Sequence, residues 1–184
     1  IEYLDNSTFN SLELYSKMNQ AANDCLVYSF DLYVTATTHE FRPVVIGSDG
    51  TEMIRQIWSS DGRIENKVDS QLVPLGGTGT FSFGVWYRVA LTVYPLPPAG
   101  GEYARYDLSI VRESDGTVVL DQKNLSGCAP VGSGVTYRKF GIKSVGTLCK
   151  SHLYLDNVGI ASTGNIAYGR PCTFSPNPSY ATCT

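Results

Sequence analysis

Charge is scarce in this chain. Asp, Glu, Lys and Arg make up 17% of its 184 residues, where about a quarter is ordinary. The net charge of −3 provides no basic field, so nucleic acid is not expected as a partner and neither is an anionic membrane surface. No window approaches the roughly 20 apolar residues of a membrane-spanning helix, so no membrane insertion is expected. No stretch sustains a helical period. Residues 12–22 come nearest, and there Leu12, Leu14 and Met18 fit alternation as well. Histidine is limited to His39 and His152, neither of them in a catalytic motif. There is no Cys-x-x-Cys, no zinc spacing, no EF-hand loop, no phosphate-cradling glycine loop and no Ser-His-Asp order. Disorder is excluded as well, because 42% of the residues are hydrophobic and 11% aromatic. Area scaling has about 70% of the unfolded surface buried on folding, enough for one self-sufficient core.

Five cysteines are present: Cys25, Cys128, Cys149, Cys172 and Cys183. Two glycosylation sequons begin at Asn6 and Asn124, while Asn177-Pro178-Ser179 fails through its proline. Together they point to a secreted, extracellular, disulfide-bonded glycoprotein, against the alternative of buried free thiols. The odd count leaves one thiol free or paired to another chain. Cys172 and Cys183 close a short loop and form the first expected pair; Cys128 with Cys149 is the second. Sequence alone does not determine the connectivity. The chain opens on Ile1 without an apolar signal segment, as expected of a mature product or a fragment.

Strand signals are plentiful. Leu26, Tyr28, Phe30, Leu32 and Val34 alternate with Val27, Ser29, Asp31 and Tyr33, a period of two with one apolar face. Residues 83–93 repeat the pattern, with Val85, Tyr87, Val89, Leu91 and Val93 on one face. So do 106–110, 140–142 and 152–160. Ser-Asp-Gly occurs at 48–50, 60–62 and 114–116, and Asp-Gly favours tight hairpins because glycine accepts positive φ at no steric cost. The expected hairpins join 41–47 to 51–58, 53–59 to 63–68, and 105–112 to 117–121. Residues 95–101, 75–80 and 127–134 read as longer connections. The fold class is therefore all-β, an antiparallel two-sheet β-sandwich of jelly-roll type with little helix. Residues 1–160 form this domain, and 161–184, which lack strand periodicity, form a disulfide-pinned tail packed on it.

The second half resembles the concanavalin A-like lectin/glucanase jelly rolls, and among them the laminin-G-like modules. The residues that carry the likeness are Val85-Trp86-Tyr87-Arg88-Val89-Ala90-Leu91-Thr92, Tyr106-Asp107-Leu108-Ser109-Ile110, Asp115-Gly116-Thr117-Val118-Val119 and Leu153-Tyr154-Leu155-Asp156-Asn157-Val158-Gly159-Ile160. The resemblance covers about residues 26–160. It implies a fold, and a choice among sugar binding, polysaccharide cleavage and structural roles.

Sugars bind such sheets through an aromatic ring under the pyranose and planar polar groups on its hydroxyls. Ile54-Arg55-Gln56-Ile57-Trp58 puts Gln56 and Trp58 on one side of a strand, next to a turn. With Arg42 and Arg88 they make the expected carbohydrate site on the concave sheet, unless Trp58 is core. Trp86 is expected in the core. Arg42, Arg88, Arg105, Arg138, Lys139 and Lys143 either form a basic cleft or are solvated strand charges. Hydrolysis is disfavoured. The Glu-x-Asp-x-x-Glu strand of the glucanases is missing, and Glu65 and Asp69 lie roughly 13 Å apart on a strand, too far for a retaining pair. The jelly-roll alginate lyases are echoed only by Tyr137-Arg138-Lys139-Phe140-Gly141-Ile142-Lys143, with Trp58 where a catalytic histidine would stand; Tyr137 and Lys139 are the candidates if the protein is a lyase. No cofactor is required. Asp156, with Asn157, either ligates calcium or shapes a bulge, and the bulge is favoured. The leading expectation is a non-catalytic domain that binds a polysaccharide or glycan. The alternative is a structural or adhesive subunit assembling with copies of itself through edge strands or an arm formed by residues 1–24.

Overall fold

The computed structural model describes residues 2–4, 13–20, 24–37, 40–97, 99–144, 151–165, 172–174 and 181–183. Side chains are described for 25–37, 40–97, 99–143 and 152–161. His39, Asn6 and Cys149 lie outside these residues.

Among the described residues the regular structure is all strand. In chain order the strands are β1 (Glu2–Leu4), β2 (Glu13–Gln20), β3 (Asp24–Thr37), β4 (Glu40–Gly47), β5 (Glu52–Ser59), β6 (Ile64–Val68) and β7 (Gln71–Gly76). They continue with β8 (Trp86–Val93), β9 (Tyr103–Arg112), β10 (Val118–Pro130), β11 (Tyr137–Ser144), β12 (Ser151–Asn165), β13 (Cys172–Phe174) and β14 (Ala181–Cys183). The first sheet has the order β1-β12-β3-β8-β9-β10, the second β2-β11-β4-β5-β6-β7, and β13 pairs with β14. The segment nearest to helical periodicity is strand β2, as its alternation allowed. Residues 127–130, expected in a connection, belong to β10.

Alternation decides which side of each strand is buried. Leu26, Tyr28, Phe30, Leu32 and Val34 of β3 enter the core beside Tyr87, Val89, Leu91 and Val93 of β8. The second sheet supplies Phe41, Ile54, Trp58, Phe140 and Ile142. The sheets meet where Tyr28 stacks on Phe140, centroids 4.8 Å apart and planes at 18°. A polar link crosses the same interior. Tyr106 donates its hydroxyl to Asn66 Oδ1 at 2.8 Å, and Asn66 Nδ2 donates to the Ser126 carbonyl at 2.7 Å.

All three Ser-Asp-Gly triplets turn the expected hairpins, β4–β5, β5–β6 and β9–β10. In each, the aspartate carboxylate accepts the backbone N–H two residues on: Thr51 at 2.9 Å, Arg63 at 3.2 Å and Thr117 at 3.0 Å. This Asx geometry holds each turn by contacts local to it. Gly62 is required twice over. Its φ is +82°, and a Cβ there would lie 2.4 Å from the Phe81 carbonyl oxygen.

Three expectations change. The last long strand does not stop at Ile160, because β12 continues along β3 until Asn165 faces Asp24. Residues 1–24 contribute β1 and β2, which pair with β12 and β11 of their own sheets. Cys128 is not bonded to Cys149. It is a buried free thiol on β10 whose Sγ donates to the Glu52 carbonyl at 2.7 Å, and burial pushes its pKa up to about 11. Cys25 is disulfide-bonded. Cys172 and Cys183 face each other across the β13–β14 ladder.

Candidate functional site

The four residues expected to form one site do not meet. Gln56 and Trp58 share a face of β5 as alternation requires, but that face is the core. Trp58 is 0% exposed, set between Phe41 and Phe81 with ring centroids 5.5 and 5.3 Å away. Its indole N–H donates to Gln56 Oε1 at 3.1 Å, and Gln56 is buried too. Neither can touch a glycan. Arg42 is on β4 of the same sheet, ion-paired with Glu40. Arg88 is on β8 of the other sheet.

Of the lyase candidates, Tyr137 fails on burial as well. Tyr137 is fully buried, with its hydroxyl donated to the Tyr94 carbonyl. Burial pushes its pKa well above that of a free phenol, the reverse of what a catalytic base needs. Lys139 is half-buried on the same strand, beyond a register shift in β11.

Trp86, expected in the core, lies outside it at 36% exposure. It opens a face that parity assigns to the outer side of the first sheet. Registers across β12, β3, β8 and β9 set this face out in rows. The uppermost is aromatic: Tyr154 is opposite Tyr33, which is opposite Trp86. Tyr33 lies 5.2 Å from Trp86 and 6.1 Å from Tyr154, centroid to centroid, and His152 adds a ring 5.1 Å from Tyr154.

The next row is charged. Asp31 is opposite both Arg88 and Asp156. Although only 4% exposed, Asp31 accepts from Arg88 Nε at 3.2 Å and from Asn157 Nδ2 at 2.5 Å. Arg88 Nη2 donates to Glu113 at 2.8 Å, so the guanidinium bridges two carboxylates, while 63% of its side chain stays exposed. Asp31 above all holds Arg88 charged. Glu113 is shifted up by burial and by Asp31, with Arg88 opposing.

Asn157 reaches Asp31 because β12 bulges between Asp156 and Gly159 and turns Asn157 to φ +48°. Asp156 Oδ1 accepts the Asn157 N–H at 2.8 Å. The Asp156-Asn157 pair therefore shapes a bulge, as the sequence favoured. Among the described residues no group of three or more His, Cys, Asp or Glu side chains is arranged to hold a metal.

The third row is small: Gly159 opposite Ser29, Ser29 opposite Ala90, Ala90 opposite Ser109. With nothing tall in this row, the face sinks into a depression of about 540 Å³ floored by Ser29, Ala90 and Gly159 and rimmed by Arg88 and Asn157. A second depression of about 330 Å³ shares Arg88 and Ala90 and continues over Ser109 to Asp107 and Lys123. The buried Asp107 accepts the Tyr94 hydroxyl at 2.6 Å and the Asn124 N–H at 2.8 Å. Lys123 Nζ lies 3.7 Å from Asp107 and 3.0 Å from Asp121. Together these depressions make a trough across the strands from β12 to β10, roughly 19 Å at ~4.8 Å per strand. Its hydrogen-bonding groups are held in place by one another, and the aromatic row lies on the same face beyond Asp31 and Arg88.

Of the residues on this face, the sequence singled out Arg88 as a binding candidate and Asn157 only with Asp156, while Trp86 was expected in the core and Tyr33 and Asp31 were not singled out. Parity within β3 and β8 carried the signal, since Trp86 shares its side with Arg88, Ala90 and Thr92, and Tyr33 with Asp31 and Ser29. Asn124, the second sequon, is exposed at a bulge of β10 with φ +54°.

No family model matches the chain, and no curated protein sequence matches it. Solved structures do. A sialidase matches with a TM-score of 0.60 at 14% identity, over 89% of this chain and 15% of the sialidase. A tetrameric galectin from the ball sponge Cinachyrella matches with a TM-score of 0.48 at 10% identity, over 82% and 99%. An alginate lyase from Chlorella virus matches with a TM-score of 0.44 at 8% identity, over 75% and 71%. The chain thus spans less than a sixth of the sialidase. At 14% identity the likeness to the sialidase is one of fold alone, that of an antiparallel two-sheet β-sandwich.

Proposed function

We propose that the protein is a secreted, non-catalytic carbohydrate-binding domain that takes a glycan across the outer face of its first sheet. The observation that carries this reading is the trough of small residues, which shares its face with the Trp86–Tyr33–Tyr154 row that lies beyond Asp31 and Arg88. An aromatic ring offers a flat apolar surface that covers the apolar face of a pyranose. Beside that row, the exposed Arg88 and Asn157 offer hydrogen-bonding groups, held in place by the buried Asp31. These groups are already fixed by one another, so a ligand meets them at little further entropic cost. Ala90, Ser29 and Gly159 leave room for the ring.

Two features support an extracellular setting. Cys25 is disulfide-bonded, which is usual outside the cytosol, and Asn124 stands exposed within a sequon. The test is affinity electrophoresis through gels containing polysaccharides, with Trp86→Ala and Arg88→Ala beside the wild type. Retardation of the wild type that both variants lose supports the reading. Retardation unchanged in both variants refutes the site.

A further inference from the structure

Resting on the reading of this face as a glycan site, we infer that its ligand is an uncharged glycan, a chain of neutral hexoses, and that polymers bearing uronate or other sugar carboxylates are turned away. Along the trough, four carboxylates (Asp31, Glu113, Asp107 and Asp121) accompany two cations, Arg88 and Lys123. Each cation lies between two of those acids. Arg88 gives Nε to Asp31 and Nη2 to Glu113. Lys123 sits between Asp107 and Asp121.

Recognition of a carboxylate depends on an arginine fork presenting two parallel N–H groups. Two arms of the Arg88 fork are engaged by protein carboxylates, so an incoming uronate would have to displace Glu113 to reach them. It would also approach Asp31, which lies behind Arg88 in the same row. An ionised carboxylate accepts hydrogen bonds and donates none. A trough with carboxylates set along it therefore favours O–H groups over anions. Sugar hydroxyls supply those donors, and they can also accept from the exposed remainder of Arg88 and from Lys123. Asp156, opposite Asp31 in the register, adds another negative charge beside the trough. One uncompensated like charge at close range in a half-exposed site corresponds to about a tenfold loss of affinity.

The experiment pairs each neutral polymer with a charged copy of itself. A soluble β-1,3-glucan, a β-1,4-galactan, a β-1,4-mannan and pullulan are each cast into native gels beside their C6-oxidised counterparts, in which the hydroxymethyl group has become a carboxylate. Alginate and polygalacturonate complete the panel. The expected result is retardation by at least one neutral polymer, about tenfold or more weaker with its oxidised copy, and a narrower gap in Glu113→Gln. An oxidised copy, alginate or polygalacturonate held as tightly as any neutral polymer, with the retardation lost in Trp86→Ala, would overturn the neutral class and leave the site standing. Retardation by no polymer, or retardation unaffected by Trp86→Ala, would overturn the site and this inference with it.

Discussion

Trp58→Ala should destabilise the protein by about 4 kcal/mol, while Trp86→Ala should cost about 1 kcal/mol and abolish glycan binding. The difference follows from position. Trp58 is wholly enclosed between Phe41 and Phe81. Truncating an aromatic there opens a cavity, at about 3–5 kcal/mol, and leaves the buried Gln56 Oε1 without its donor. That is a large share of the 5–15 kcal/mol typical of a domain. With a urea m-value of about 2 kcal/mol/M, the denaturation midpoint falls by about 2 M. Trp86 is 36% exposed and loses mainly its tilted contact with Tyr33, so its midpoint should fall by about 0.5 M. The chain has two tryptophans, which gives each variant a clean optical reporter. Trp58→Phe leaves Trp86 as the single indole, and its emission should respond to glycan. Trp86→Phe leaves Trp58, whose emission should be blue-shifted and indifferent to glycan. If Trp58→Ala lost binding with its urea midpoint unmoved, the assignment of that face of β5 to the core would be wrong.

Other outcomes follow from single sites. Burial raises the Glu52 pKa, but the hydrogen bonds and charges of Lys143 and Arg55 outweigh it and hold the group below its usual value. Its stabilisation is therefore complete above the unfolded-state pKa of about 4.3 and is lost as pH falls through the lower folded value. Lys143→Met should cost roughly 1–3 kcal/mol at pH 7, and urea midpoints should show the deficit shrinking towards pH 3; a pH-independent deficit would refute the pairing. Cys128, with its pKa raised to about 11, should resist iodoacetamide at pH 8 in the native protein and react on unfolding. Peptide mapping reads this directly, and rapid native labelling of Cys128 would contradict its burial. Gly62→Ala should cost more than about 2 kcal/mol, because its Cβ meets the Phe81 carbonyl. Gly50→Ala, at a similar φ of +87° but with open space around it, should cost about 1 kcal/mol. Equal losses would mean that backbone conformation alone sets both.

What the sequence revealed was local. Asp49, Asp61 and Asp115 each fix a turn with hydrogen bonds made within three residues, so the hairpins could be read without knowing the rest of the fold. Parity along β3 and β8 was equally plain. What parity cannot say is which side of a strand is inside when both sides carry large residues. In β5, Gln56 beside Trp58 looks like a polar, ligand-facing pair, yet the amide is in the core as the acceptor for the indole. In β8 the mistake ran the other way, because Trp86 is large and apolar but shares its side with Arg88. The trough needs more than parity. It depends on β12 lying beside β3 and β3 beside β8, pairings that join residues as distant as Tyr154 and Tyr33. No local pattern encodes that order.

One flank of both sheets is closed by the earliest part of the chain. Glu2 pairs with Tyr154 and Glu13 with Lys143. At the usual 5–20 residues per second of protein synthesis, the first strand waits roughly 8–30 s before its partner has been made. Throughout that interval β1 and β2 are nascent segments without neighbours, and neither sheet can reach its final width. Folding during synthesis can build the hairpins as they emerge, but the sandwich closes only once β11 and β12 have left the ribosome.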